Sequence, residues 1–393
     1  MRKRASLVRP VVGWLLAPAL LLLVGCSEAT PEPRTPSPAP PSTVGATTTV
    51  ISTSGAEGTA AELFERGKMQ LLQEKFAEAA ATFDLVLRGD PEPKLAAQAL
   101  LQGGTAAEGA GDREGALRRY QKLVEVYGTS EWVKPALLRQ GRLLIQLERW
   151  ADLATLGATL AARPDLTISE QIEAMGDRAL GLVEAGQVDE ASSQAERART
   201  LMEKHHIGEV GRIPNEAALV FFSLGEVRRV RSERIVFEPM PENFGVAFES
   251  RAQGLLDAQS AYTDAMRTTD AFFETWSGYR VGQLYQQLHH DVMVVKAPPT
   301  LKNDKDRLLY EGALQLRYRI LLEKGLKMMQ STVRMTERVN ETNAWGDRAR
   351  ESLKQIEAAI AAANAAIARV GVPEATLKIA LDEMMKEQAK KKK

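Results

Sequence analysis

Cys26 is the only cysteine among 393 residues, so the chain can form no internal disulfide and no multi-cysteine metal site. Its four histidines fall in two adjacent pairs, His205-His206 and His289-His290. Neither pair has the i, i+4 spacing that sets two imidazoles on one helix face, and Asp291 beside the second pair does not supply it, so no metal is expected. A glycine-rich phosphate loop, a nucleophile elbow and an EF-hand loop are all absent from the sequence, and Gly103-Gly104 sits inside an apolar helical run. Acids and bases are scattered at helical spacing, as solvated faces require, and no carboxylate pair stands out as general acid and base. The reading is a non-enzyme with no cofactor.

The surroundings of Cys26 carry the most specific signal. A basic start from Met1 to Arg4 is followed by an apolar run from Val11 to Val24, too short and too promptly ended for a spanning helix. Leu23-Val24-Gly25-Cys26 resembles the bacterial lipobox. That resemblance implies cleavage before Cys26, a signal peptide over 1–25, and lipid on the cysteine, which then holds the chain on a membrane and is no catalytic thiol. Ser27 after it favours, by the same resemblance, a lipid-anchored outer-membrane location on the periplasmic side. Removing the first 25 residues leaves 47 basic residues against 51 acidic ones, a formal −4, which argues against a nucleic-acid partner.

Residues 26–58 are rich in Pro, Ser and Thr, with Pro31, Pro33, Pro36, Pro38, Pro40 and Pro41 and almost no large apolar side chain. Such a segment cannot bury a core and is expected to be a disordered tether, reaching about 3 Å per residue in its Pro-rich part.

From Thr59 to Leu201 one helical-hairpin pattern returns every 37 or 38 residues. The first copy has Leu63, Gly67, Ala79, Phe83 and Pro91; the second has Leu100, Gly104, Ala116 and Tyr120, with Gly111-Asp112 as its turn. The third keeps Leu137, Gly141, Trp150 and Leu153 but has Gly157 where an aromatic is expected, and a fourth has Ala179, Leu182, a Gly186-Gln187 turn and Ala191. This set resembles the tetratricopeptide-repeat (TPR) family over about a third of the chain. The small residues mark a close crossing of the two helices in each hairpin, Phe83 fills the space between hairpins, and Pro91 ends a helix. By resemblance, the partner groove of such an array falls on Phe64, Lys68, Leu101, Thr105, Leu138 and Arg142. Only Lys68 and Arg142 are basic, too few for a carboxylate clamp, and the apolar remainder suits a helix or extended peptide.

Few aromatics, abundant alanine and no sustained period-two alternation place the fold as all-α: an α-solenoid of TPR-like hairpins over 59–205, then a second array of longer helices over 206–370. Expected helices there run from Asn215 to Arg234, Ala247 to Arg267, Thr269 to Val294, Lys302 to Glu337 and Ala344 to Arg369. Phe237 to Phe248 reads as a loop held down by its phenylalanines, and Arg228, Arg229, Arg231 and Arg234 read as a solvated basic helix face. Residues 371–393 form an amphipathic helix with a lysine tail. The spacing of Trp276, Tyr279, Gly282, Tyr285, Pro298-Pro299 and Asn343-Ala344-Trp345 is similar to the C-terminal part of repeat lipoproteins of deltaproteobacteria, some of which serve gliding-motility and envelope-spanning machines. The expectation is a lipid-anchored scaffold that binds other envelope proteins through its groove, with no small-molecule substrate. The alternative is a module for peptidoglycan or polysaccharide fragments that stacks sugar on Trp276, Tyr279 and Tyr285.

Overall fold

The computed structural model describes residues 58–208, 213–268, 270–297, 301–339, 344–379 and 382–383. Thr59 and Glu62 start the first helix with a capping box: the Thr59 hydroxyl accepts from the Glu62 N–H at 3.3 Å, and the Glu62 carboxylate accepts from the Thr59 N–H at 2.8 Å. Eight helices then alternate with short turns: α1 (Ala60–Leu72), α2 (Phe76–Arg88), α3 (Pro93–Gly109), α4 (Arg113–Val126), α5 (Val133–Gln146), α6 (Trp150–Ala161), α7 (Ile168–Glu184) and α8 (Val188–Lys204). Longer helices follow: α9 (Ala217–Glu233), α10 (Phe244–Met266), α11 (Ala271–Met293), α12 (Asp304–Val339) and α13 (Ala344–Arg369). No strand occurs among the described residues, and each helix packs on its chain neighbours, which makes the architecture an α-solenoid.

The first four hairpins close in the same way. Glu74, Gly111, Glu148 and Gly186 each adopt a left-handed backbone with φ between 54° and 83°. The residue after each donates its N–H back to a carbonyl five positions earlier: Lys75 to Gln70, Asp112 to Ala107, Arg149 to Leu144 and Gln187 to Leu182, at 2.8–2.9 Å. This is the Schellman closure, which satisfies the carbonyls that a helix end leaves open. Its recurrence at the sequence period makes the hairpins structural equivalents.

Gly67 is small for the sake of Phe83: a Cβ there would lie 2.9 Å from the ring, which also stacks edge-on to Phe64 at 5.6 Å. Gly104 faces Tyr120 in the same manner. Helix α2 ends at Arg88, before Pro91, because Gly89 and a left-handed Asp90 already break it. In the third hairpin the absent aromatic has a consequence. Gly157 lets α6 approach the α7 backbone directly, with Arg178 N at 2.6 Å and Ala174 O at 2.7 Å from a Cβ built on it, while Gly181 faces Ala154 and Trp150 from the other side.

Helix α9 is buried on nearly all sides and packs on α7, α8 and α10, so the chain from Gly58 onward forms one unit. It starts at Ala217 with no side-chain cap, two residues after Asn215. Of its arginine run, Arg231 and Arg234 are exposed as a solvated face requires, but Arg229 is turned inward. Arg228 donates to the Asp257 carbonyl at 2.9 Å, Arg229 to Glu226 and Glu233, and Arg231 to Asp189 at 2.9 Å. The Phe237–Phe248 segment is shorter as a loop than its prolines imply, since α10 begins at Phe244; Phe237, Phe244 and Phe248 still cluster, with centroids 5.2–6.2 Å apart. After α13 a short helix at 374–379 lays Leu377, fully buried, against Ala313, Leu316 and Ile367.

Candidate protein-interaction surface

The six groove positions do not remain one open surface. Phe64 and Leu101 are buried within the hairpin packing, and Leu138 is half-buried against the same core. Thr105 turns its hydroxyl to the Leu101 carbonyl at 3.1 Å and to the Tyr120 hydroxyl at 3.4 Å. Tyr120 in turn donates to Glu108. Burial and the Glu108 hydrogen bond both push its phenol up, so it stays a neutral donor.

Arg142 meets the chain's own C-terminal half. Its guanidinium pairs with the Asp270 carboxylate through both terminal nitrogens and lies 4.9 Å and 5.1 Å from the Phe272 and Phe273 ring centroids. Asp270 itself caps α11 by accepting from the Phe272 and Phe273 N–H groups at 3.0 Å and 3.2 Å. The start of α11 therefore sits where the third hairpin would present its groove residue.

What stays open is the row on α1. Lys68 follows Phe64 by one helical turn, its ammonium 5.7 Å from that ring and 2.9 Å from Glu65. Leu72, one further turn along the same face, is 78 % exposed, and Met69 beside it is 54 % exposed. An exposed leucine flanked by a cation, on the first helix of a stack, is a surface that a partner's apolar side chain can cover.

Trp276 and Tyr285 are buried and Tyr279 nearly so. Trp276 is the hub of an aromatic core, with Phe222 at 3.9 Å, Trp345 at 4.5 Å and Trp150 at 6.1 Å. The polysaccharide alternative therefore loses the exposed ring platform on which it rested.

Sequence reasoning missed the polar cluster beneath this core. Glu226 of α9, wholly buried, takes a charge-assisted hydrogen bond from Arg229 at 2.5 Å and one from the Tyr262 hydroxyl of α10 at 2.7 Å, and forms an ion pair with Arg280 of α11 at 2.7 Å. Arg280 also reaches Glu184 of α7 at 3.2 Å. Burial pushes the Glu226 carboxyl up, but Arg280 and Arg229 outweigh it and hold it down; burial together with Glu226 pushes Glu184 up. Every charge in the cluster is spent on another, so it joins four helices rather than offering a free acid or base. Asp177 on α7 is different: it is buried with neither carboxylate oxygen hydrogen-bonded, and burial, then Glu173, push it well up despite Arg142.

His205 and His290 are exposed, and no group of three or more potential metal ligands converges among the described residues. No helix among them is long and apolar enough to cross a membrane. Leu23, Val24, Gly25 and Cys26 lie outside the described residues. Comparison of the chain with models of known families and with characterised proteins gives no match.

Proposed function

We propose that the protein is a non-catalytic scaffold of the bacterial envelope, anchored by lipid on Cys26 and carrying a TPR-like array that binds other envelope proteins. The observation that carries this reading is the stack of four hairpins with a common turn and period, ending in an exposed Lys68–Met69–Leu72 row on α1. Supporting it are the lipobox resemblance at Leu23 to Cys26 and the proline-rich segment that would let the array work away from the bilayer. The mechanism is positioning: confinement to a membrane raises the effective concentration of whatever is bound. A gliding, secretion or outer-membrane assembly machine fits that role.

A photo-crosslinker at position 72 in intact envelopes tests it. Reproducible links to particular envelope proteins, lost in Lys68→Glu, support the scaffold; capture of lipid or cell-wall polymer alone overturns it. Cys26→Ala should abolish acyl labelling and leave an uncleaved precursor, and normal labelling of that variant would sink the anchor.

A further inference from the structure

Helices α11, α12 and α13 meet most closely at glycines. A Cβ on Gly325 would lie 3.2 Å from the Gly282 carbonyl oxygen and 3.3 Å from the Ile356 side chain. Helices that cross at one such point diverge beyond it. Toward the C-terminal ends of α11 and α13 they part around a cleft of about 780 Å³, a size common for small-molecule sites. One wall is alanine: Ala359, Ala362, Ala363 and Ala366 of α13 follow at helical spacing and leave the space that larger side chains would fill. The facing wall has Leu308, Leu314 and Leu322 of α12.

Exposed Lys296, Glu311 and Arg369 rim the cleft, and deep inside it two polar groups lack a well-formed hydrogen bond. His289 is 8 % exposed and its Nε2 has no hydrogen-bond partner; Gln315 Oε1, across the cleft on α12, is also buried and unpaired. Burial, helped by His290, pushes the His289 imidazole down to about 4, opposed by the Gln315 side chain, which is near enough to act on the ring without forming a good hydrogen bond, so the ring is neutral. Unpaired buried polar atoms cost free energy unless something completes them.

We propose that this cleft binds a single-chain amphiphile, with its apolar chain along the alanine wall and a hydroxyl or amide head completing the hydrogen bonds of His289 and Gln315. A hydroxyl accepts from the Nε2–H tautomer of the neutral imidazole while donating its one proton to the Gln315 oxygen. A carboxylate only accepts and would face the Gln315 oxygen without a proton between them. A partner's apolar helix would cover the alanines and leave both polar atoms unpaired, which favours a small ligand. The site is separate from the α1 row, so it stands or falls independently of the scaffold reading.

The test is titration calorimetry of the full chain with 1-decanol and with decanoate. Saturable one-site binding of decanol, at least tenfold tighter than decanoate, is expected. Ala366→Leu and Ala362→Leu should each weaken decanol at least tenfold by filling the wall; Ala362 is exposed, so its variant keeps the fold even where the other fails. Gln315→Leu should narrow the difference between the two probes. Absence of saturable decanol binding, equal affinity for both probes, or binding unchanged in Ala362→Leu overturns the proposal.

Discussion

Asp177 is buried in a place that favours its protonated form. Burial, then Glu173, push its carboxyl well above the unfolded value of about 3.9, so the folded chain keeps this proton to higher pH than the unfolded chain does. The stability this group allows is fully present below about pH 4 and is lost as pH rises toward its folded value. Asp177→Asn removes that loss. The variant and the parent should have similar urea midpoints near pH 4 and separate as pH rises, with the variant the more stable. A parallel pair of pH profiles would show that Asp177 is ionised in the fold. Glu173, pushed up to about 7 by burial and Glu216 against the pull of Arg142, adds a slope of the same sign in both. Glu74 presents the opposite opportunity, since a non-glycine residue holds the left-handed turn position that Gly111 and Gly186 fill in equivalent hairpins. Glu74→Gly should raise the melting temperature, by about 0.5–1 kcal/mol of stability, and an unchanged or lower value would mean that the turn is unstrained. The glycine turns were readable in the sequence; their glutamate equivalents were not, because nothing about Glu advertises a positive φ.

At the scale of helices, the glycines rank by what they face. A methyl on Gly67 meets the Phe83 ring, which can tilt, whereas a methyl on Gly157 meets the backbone of α7, which cannot move without shifting a helix. Gly67→Ala should cost about 1–3 kcal/mol and Gly157→Ala more, measured by denaturant midpoint at constant m-value. The reverse order would mean that α6 and α7 slide readily. The periodic small residues made the first two hairpins legible because each crossing is local, within about 20 positions of chain. The buried Glu226 cluster was illegible for the opposite reason: Arg280 and Glu184 are 96 positions apart, and nothing in the arginine run of α9 distinguishes Arg229, turned inward, from Arg231, turned outward. Glu226→Gln leaves Arg280 and Arg229 short of their shared counter-charge inside the helix stack and should cost about 3–5 kcal/mol. Replacing Arg280 with Met in the same chain should return part of that loss; no return would mean that the cluster matters through packing alone.

Among the described residues, a few long-range pairs join the first helices to the later ones. Arg142 and Asp270 join α5 to the start of α11 across 128 positions, and Arg348 of α13 reaches Glu148 in the turn after α5 at 2.5 Å across 200. Both pairs are partly exposed, so each contributes less than its geometry implies; the aromatic core around Trp276 carries most of the attachment. The pairs set register: an array that would otherwise present a groove residue in each hairpin has its third position taken by its own α11. Arg142→Asp should therefore loosen the beginning of α11 without unfolding the hairpins. In hydrogen exchange the amides of Phe272 and Phe273, which depend on the Asp270 cap, should exchange faster, while those of α1 to α4 keep their protection. Pairing it with Asp270→Arg restores the charge match but not the cap, because arginine cannot accept from an N–H. The double variant should recover the melting temperature in part and leave the Phe272 and Phe273 amides fast. Full recovery of both would mean that the cap is dispensable and the ion pair alone holds α11 in the groove position.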